Sequence, residues 1–128
     1  MTHTNRSYVE HVAIHVKDVP WHIRFFDEAL GMPVYRLQGP EDSPQQAWTV
    51  GGIQLVAQGE GAETTSLVSH IGVVTENLEE AIRAVTAWGA RETMKGRHWL
   101  QLPEGLVIEL IQAHGNSVAE ALAVNPRG

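Results

Sequence analysis

His11-Val12-Ala13-Ile14-His15-Val16-Lys17-Asp18 and His70-Ile71-Gly72-Val73-Val74-Thr75-Glu76-Asn77 are two versions of one phrase, 59 residues apart. Each opens on a histidine, continues as a short apolar run, and reaches an Asp or Asn. Alternation along Tyr8–Val16 puts Val9, His11, Ala13 and His15 on one face of a strand and Glu10, Val12, Ile14 and Val16 on the other. Neither face is wholly polar, which fits a strand that packs on one side and lines a cavity on the other.

A helix follows each phrase. Asp18 caps the first, with Pro20 in its first turn, where a missing N–H is tolerated. Val19, Ile23, Phe26 and Leu30 form its apolar stripe, and Gly31 ends it. In the second copy Asn77 and Glu80 make a capping box. Leu78, Ile82 and Val85 form the stripe, Trp88 lies near it, and Gly89 is the stop.

Further strands are expected at Pro33–Leu37, Gln46–Val50 and Ile53–Ala57, then at Arg91–Met94, His98–Leu102 and Leu106–Ile111. Glycines and prolines separate them. Residues 58–66 read as a linker, 1–7 as a loose polar terminus, and Ser117–Ala123 as a short helix in the tail 114–128. The pattern is βαβββ twice, over about 8–57 and 68–112, in an α+β chain with a single domain at 8–113. One copy alone would leave a sheet with a bare face, and two can bury it or enclose a cleft.

Composition narrows the function. The chain has 128 residues, 43% of them apolar and 19% charged, enough for one globular core. It carries 9 basic and 15 acidic residues, a net charge of −6, and no basic cluster, so a nucleic-acid partner is not expected. With no cysteine there is no disulfide, thiolate ligand or thiol nucleophile. No apolar run approaches the ~20 residues that span a bilayer. The N-terminal stretch has no apolar signal region, and a cytoplasmic location is the expectation.

Any metal must therefore be held by nitrogen and oxygen. His11 and His70 occupy matched strand starts. Gln54 and Glu109, 55 residues apart, occupy matched closing strands, each among apolar neighbours. A carboxylate between Ile108 and Leu110 needs a partner. Two imidazoles, one carboxylate and one carboxamide suit Zn, Fe, Ni, Co or Mn. Gln54 is either a ligand or a hydrogen-bonding group toward one. His15 lies about 13 Å along the strand from His11, too far for the same ion but on the same face, where it could touch a substrate. Trp48, His98 and Trp99 are candidates to stack on that substrate, and Arg36 and Arg97 to anchor a carboxylate.

Over residues 8–113 the chain resembles the glyoxalase / vicinal oxygen chelate superfamily. The resemblance rests on His11–Asp18 followed by Phe25-Phe26-Asp27-Glu28-Ala29-Leu30-Gly31-Met32, and on Ser69–Val74 with Gly105-Leu106-Val107-Ile108-Glu109-Leu110. It implies two βαβββ modules forming a curved, open mixed sheet around a divalent metal. His11, Gln54, His70 and Glu109 match its usual ligand positions, in a set similar to those of methylmalonyl-CoA epimerases and glyoxalase I. Under the resemblance the protein is a metal-dependent isomerase or lyase. It stabilises an enediolate or enolate on a small carbonyl substrate, with Glu109 as base, His15 as second candidate, and a homodimeric assembly. The alternatives are an Fe(II)-dependent dioxygenase and a drug-binding protein of the bleomycin-resistance type. One departure stands out: the epimerases carry a further glutamate on the strand matching Gln46–Val50, and this strand has none.

Overall fold

The structure is a computed structural model that describes residues 4–59 and 68–124. Its elements are β1 (Ser7–Val16), α1 (Val19–Arg24) running into a π-helical segment (Phe25–Ala29), β2 (Val34–Gln38), β3 (Gln46–Thr49) and β4 (Ile53–Ala57). Then come β5 (Val68–Thr75), α2 (Leu78–Ala87), β6 (Arg91–Thr93), β7 (Gly96–Gln101), β8 (Val107–Gln112) and α3 (Ser117–Ala123). The βαβββ pattern is present twice. The strands make a mixed open sheet in the order β2-β3-β4-β1-β5-β8-β7-β6. No helix among the described residues is long and apolar enough to cross a membrane. Most of the expected linker, residues 60–66, and the end of the tail lie outside the described residues.

The chain divides into two compact units whose boundaries cut through β1 and β5. One comprises residues 11–70. The other comprises residues from 71 onward together with the N-terminal residues up to Glu10. The repeats are therefore not the units: the first residues of each repeat's leading strand belong to the other repeat's unit.

In the unit of residues 11–70, β1 pairs in parallel with β4, and β4 with β3 and β3 with β2 in antiparallel fashion. Register sorts the side chains. Ile14 faces Leu55 and Ala47 faces Leu55, so these share one face, and Val16, Val19, Ile23 and Phe26 pack with them. The helix thus covers that face. Asp18 caps it as expected, its Oδ1 accepting from the Trp21 N–H at 3.0 Å. Leu30 departs from the expected stripe and is 58% exposed. The reason is the π-helical segment, whose wider turns rotate later residues off an α-helical stripe. The sequence holds the cause: thirteen steps separate Asp18 from Gly31, but only twelve separate Asn77 from Gly89. The wider turn absorbs the extra residue. Gly31 then stops the helix at φ +69°.

In the other unit, β5 pairs in parallel with β8, and β8 with β7 and β7 with β6 antiparallel. Val73, Leu100, Ile108 and Leu110 meet Ala81, Ile82 and Val85 of α2. Only half of the expected capping box forms. Asn77 Oδ1 accepts from the Glu80 N–H at 3.1 Å, but the Asn77 N–H donates to Asn5 Oδ1 at 2.8 Å rather than to Glu80. Trp88 is 87% exposed, past the end of the packed stripe.

The N-terminal residues are not loose in their described part. The Arg6 backbone N–H and guanidinium both donate to the Glu76 carboxylate, at 2.7 and 2.9 Å, and the Glu76 N–H donates to the Arg6 carbonyl at 3.0 Å. Polar residues satisfied this way look, in sequence, the same as polar residues in solvent.

Candidate metal centre

The face of β1 turned away from the helix carries His11, Ala13 and His15. Its neighbours follow from register. Ala13 stands opposite Gln54, Gln54 opposite Trp48, and Trp48 opposite Arg36. Directly opposed residues share a face, so Arg36, Trp48, Gln54 and Ala13 form one row across four strands. Gln46, Val56 and His15 form the next.

His11 and His70 lie together within this unit, only 7% and 6% exposed. Their Nε2 atoms are 3.1 Å apart, and the rings meet edge to face at 90°. Ser69 Oγ lies 3.3 Å from His70 Nδ1, a contact that can settle which ring nitrogen carries the proton. A pair of inward Nε2 atoms suits one divalent ion. With metal–nitrogen bonds of about 2.1 Å, two nitrogens at right angles stand about 3.0 Å apart. The donor set fits a nitrogen- and oxygen-ligated ion.

Gln54 is buried, and its Nε2–H donates to Gln46 Oε1 at 2.5 Å. That bond uses the amide nitrogen and leaves the oxygen, the atom a metal takes, outside it. Gln46 was not singled out from sequence. The available signal was its place two residues before Trp48, hence on the same face. His15 is half-buried, and its Nδ1 is a buried ring nitrogen with no hydrogen-bond partner among the described residues. Trp48 carries the Arg36 guanidinium over its ring, 4.7 Å from the centroid.

The second unit repeats the row with different residues. Gly72, two places along β5 from His70, stands opposite Glu109, and Glu109 stands opposite Trp99. Glu109 is half-buried and faces away from the α2 side, where Ile108 and Leu110 pack. Trp99 also has a cation on its ring, Lys95 Nζ at 4.5 Å. Lys95 too was missed in sequence, because it arrives from a hairpin rather than a strand. His98 precedes the run Trp99–Gln101 that pairs with β8, so no β8 residue aligns with it. Its ring lies beside Trp99, with centroids 6.1 Å apart. Arg97 is committed elsewhere: its guanidinium pairs with Glu79 on α2, one bond being 2.8 Å, which removes it as a ready substrate anchor. His11, His70 and Glu109 form a group of residues that could hold a metal ion.

Residues 11–111 match the family model described as a glyoxalase-like domain. No curated protein matches the chain. Among solved structures, methylmalonyl-CoA epimerase from Mycobacterium tuberculosis is similar, with a TM-score of 0.60 and 21% identity over 87% of this chain and 91% of that one. A Streptomyces coelicolor methylmalonyl-CoA epimerase in complex with 2-nitronate-propionyl-CoA gives 0.59 and 19% over 84% and 95%. The 2,3-dioxygenase LapB from Pseudomonas sp. KL28 gives 0.59 and 17% over 84% of this chain but 42% of that one. At these identities the structures speak for the fold, and two different enzyme types share it. With its doubled βαβββ architecture and the match over residues 11–111, the chain belongs to the glyoxalase-like domain family of the vicinal oxygen chelate superfamily.

Proposed function

We propose that the protein is a metal-dependent isomerase or lyase that moves a proton next to the carbonyl of a small substrate. His11, His70 and Glu109 are the ligands, joined by Gln54 through Oε1. The observation that carries this reading is the buried His11–His70 pair, with Nε2 atoms facing each other at 3.1 Å. Its support is the matched placement of Gln54 and Glu109, one opposite Ala13 and one opposite Gly72. A bound divalent ion would polarise a carbonyl oxygen and lower the cost of negative charge developing beside it.

The chain's own residues take the remaining roles. Glu109 takes the proton from carbon and returns it. His15, with its unpartnered Nδ1, is the second acid–base group. Trp48 and Trp99 flank Gln54 and Glu109 and supply flat apolar surface to the substrate. His98 supports Trp99 from the side. A homodimer is part of the proposal, supported by the exposed apolar side chains of Trp21, Phe25 and Leu30 on the first helix.

A second reading has one observation in its favour. His11, His70 and Glu109 make a metal-capable group without Gln54, so these three alone could serve an Fe(II)-dependent dioxygenase.

The test is elemental analysis of protein purified without added metal, alongside His70→Ala and Glu109→Ala. One metal per chain is expected in the wild type, with loss in both variants. A metal-free wild type, or variants that keep full occupancy, overturns the site and favours a binding protein of the bleomycin-resistance type. Glyoxal–thiol adducts and acyl-CoA esters as substrates, followed beside oxygen consumption, then separate lyase, isomerase and dioxygenase.

A further inference from the structure

We infer that Arg36 is a specificity-determining residue that recognises a carboxylate on the substrate, separate from the oxygens that reach the metal. The inference rests on the proposed metal site and adds the substrate's charge to it. Arg36 stands in one row with Trp48 and Gln54, on the face that carries His11. Its guanidinium lies over the Trp48 ring at 4.7 Å. A guanidinium resting on an indole face can still donate its N–H groups to a carboxylate in two parallel hydrogen bonds.

Arg6 and Arg97 are paired with Glu76 and Glu79. Arg36 makes no ion pair among the described residues, although the chain carries 15 acidic residues against 9 basic ones. Among the described residues Arg24, Arg83 and Arg91 also make no ion pair, and Arg36 differs from them in standing in the row of Trp48 and Gln54. Arg36, seated on Trp48 and with no ion pair among the described residues, is available to an anion that reaches this row.

Position sets the substrate's form. Strands lie about 4.8 Å apart, so β2 is roughly 10 Å from β4, and the side chain covers part of that span. A substrate that reaches from Gln54 across Trp48 to the guanidinium needs a polar group at each end, as a small dicarboxylate has. The other unit supplies an independent parallel. Trp99, opposite Glu109, also bears a cation, Lys95, which reaches it from a different element. A cation-capped tryptophan thus stands beside each of the two matched positions, by two different routes.

The experiment compares 2-oxoglutarate with its 5-methyl ester, which keeps the chelating head and removes the distant charge. Affinities are read by tryptophan fluorescence and calorimetry on metal-loaded wild type, Arg36→Gln and Arg36→Lys, with metal content and thermal melts measured on the same samples. The acid is expected to bind wild type about tenfold or more tightly than the ester, the worth of a charged hydrogen-bonded pair. In Arg36→Gln that preference falls to about onefold while ester affinity is unchanged, and in Arg36→Lys part of it returns. Metal-loaded wild type that does not prefer the acid, including one that binds neither compound, overturns the inference. So does a folded Arg36→Gln protein that keeps the preference. Absence of metal from wild type is read separately and sinks the metal site itself.

Discussion

In the first half of the chain Gln54 stands between Ala13 and Trp48; in the second, Glu109 stands between Gly72 and Trp99. The rows are built alike and differ at their centre by one charge. Each puts a small residue on the parallel strand, a polar group in the middle and a tryptophan on the antiparallel side. Gln54 gives its amide N–H to Gln46, a partner on its own face. A carboxylate at that place would set two acceptor oxygens against each other across the same short distance unless Gln46 turned its amide. Duplication therefore supplied two equivalent places, and the surroundings of the first suit a carboxamide. The consequence, under the proposed function, is division of labour: the anionic place can take a proton, and the neutral place can only hold.

Exchanging the charges is the strongest way to break that comparison. Glu109→Gln makes both rows neutral and removes the proposed base, and turnover is expected to fall by about 10²–10⁴. Metal occupancy falls with it, by elemental analysis. Gln54→Glu makes both rows anionic. It is expected to keep the metal and to lose at most about tenfold in turnover, because the base is untouched and only the bond to Gln46 must be remade. If Gln54→Glu proves the more damaging change, the two places are not divided as described.

Much of this was legible before any coordinates. Strand alternation and helical spacing place the strands and helices of both repeats close to where they lie, because the apolar residues on the helix-covered faces recur at fixed periods. The histidine pair was legible as well, because repetition marks equivalent places and a matched polar residue in an apolar strand is a strong signal. Three features were not. Gln46 and Lys95 matter through partners on other elements, Gln54 and Trp99, and nothing local to either residue distinguishes it. The anchoring of Asn5 and Arg6 to Asn77 and Glu76 depends on contacts about 70 residues apart. The π-helical segment was legible only by counting one half against the other.

The helix starts sharpen the comparison at moderate size. Asp18 and Asn77 are matched caps, each accepting one backbone N–H, from Trp21 and Glu80. Asn77 does more, since its N–H and carbonyl are bonded by Asn5 at 2.8 and 3.0 Å. These are backbone groups and survive substitution. Asp18→Ala and Asn77→Ala should therefore each cost about 1 kcal/mol, the usual worth of a side-chain cap. Asn5→Ala, which strips partners from the second helix start alone, should cost a similar amount. Chemical denaturation of the three variants checks this. An Asn5→Ala protein as stable as wild type would mean that the tie between terminus and helix contributes nothing.

The smallest effect lies one residue before those caps. Lys17 and Glu76 are matched positions, but Glu76 is bonded by Arg6 while Lys17 makes no ion pair among the described residues. The guanidinium hydrogen bonds of Arg6, with help from its backbone N–H, hold the Glu76 carboxyl below the ordinary glutamate value of 4.5. A carboxyl depressed on folding stabilises the protein above its unfolded value, and that contribution disappears as pH falls through the lowered folded value. Both partners are solvent-exposed, so the effect is a small one. Melting temperatures of wild type and Glu76→Gln should differ slightly at pH 6, with wild type higher, and the gap should close as the solution is acidified from about pH 5 to pH 3. Lys17→Gln, the matched change in the first half, should show no such closing gap. A gap for Glu76→Gln that stays constant across that window would mean the charge on Glu76 is not what joins the terminus to the second helix start; the neutral hydrogen bonds of Asn5 would then hold it alone.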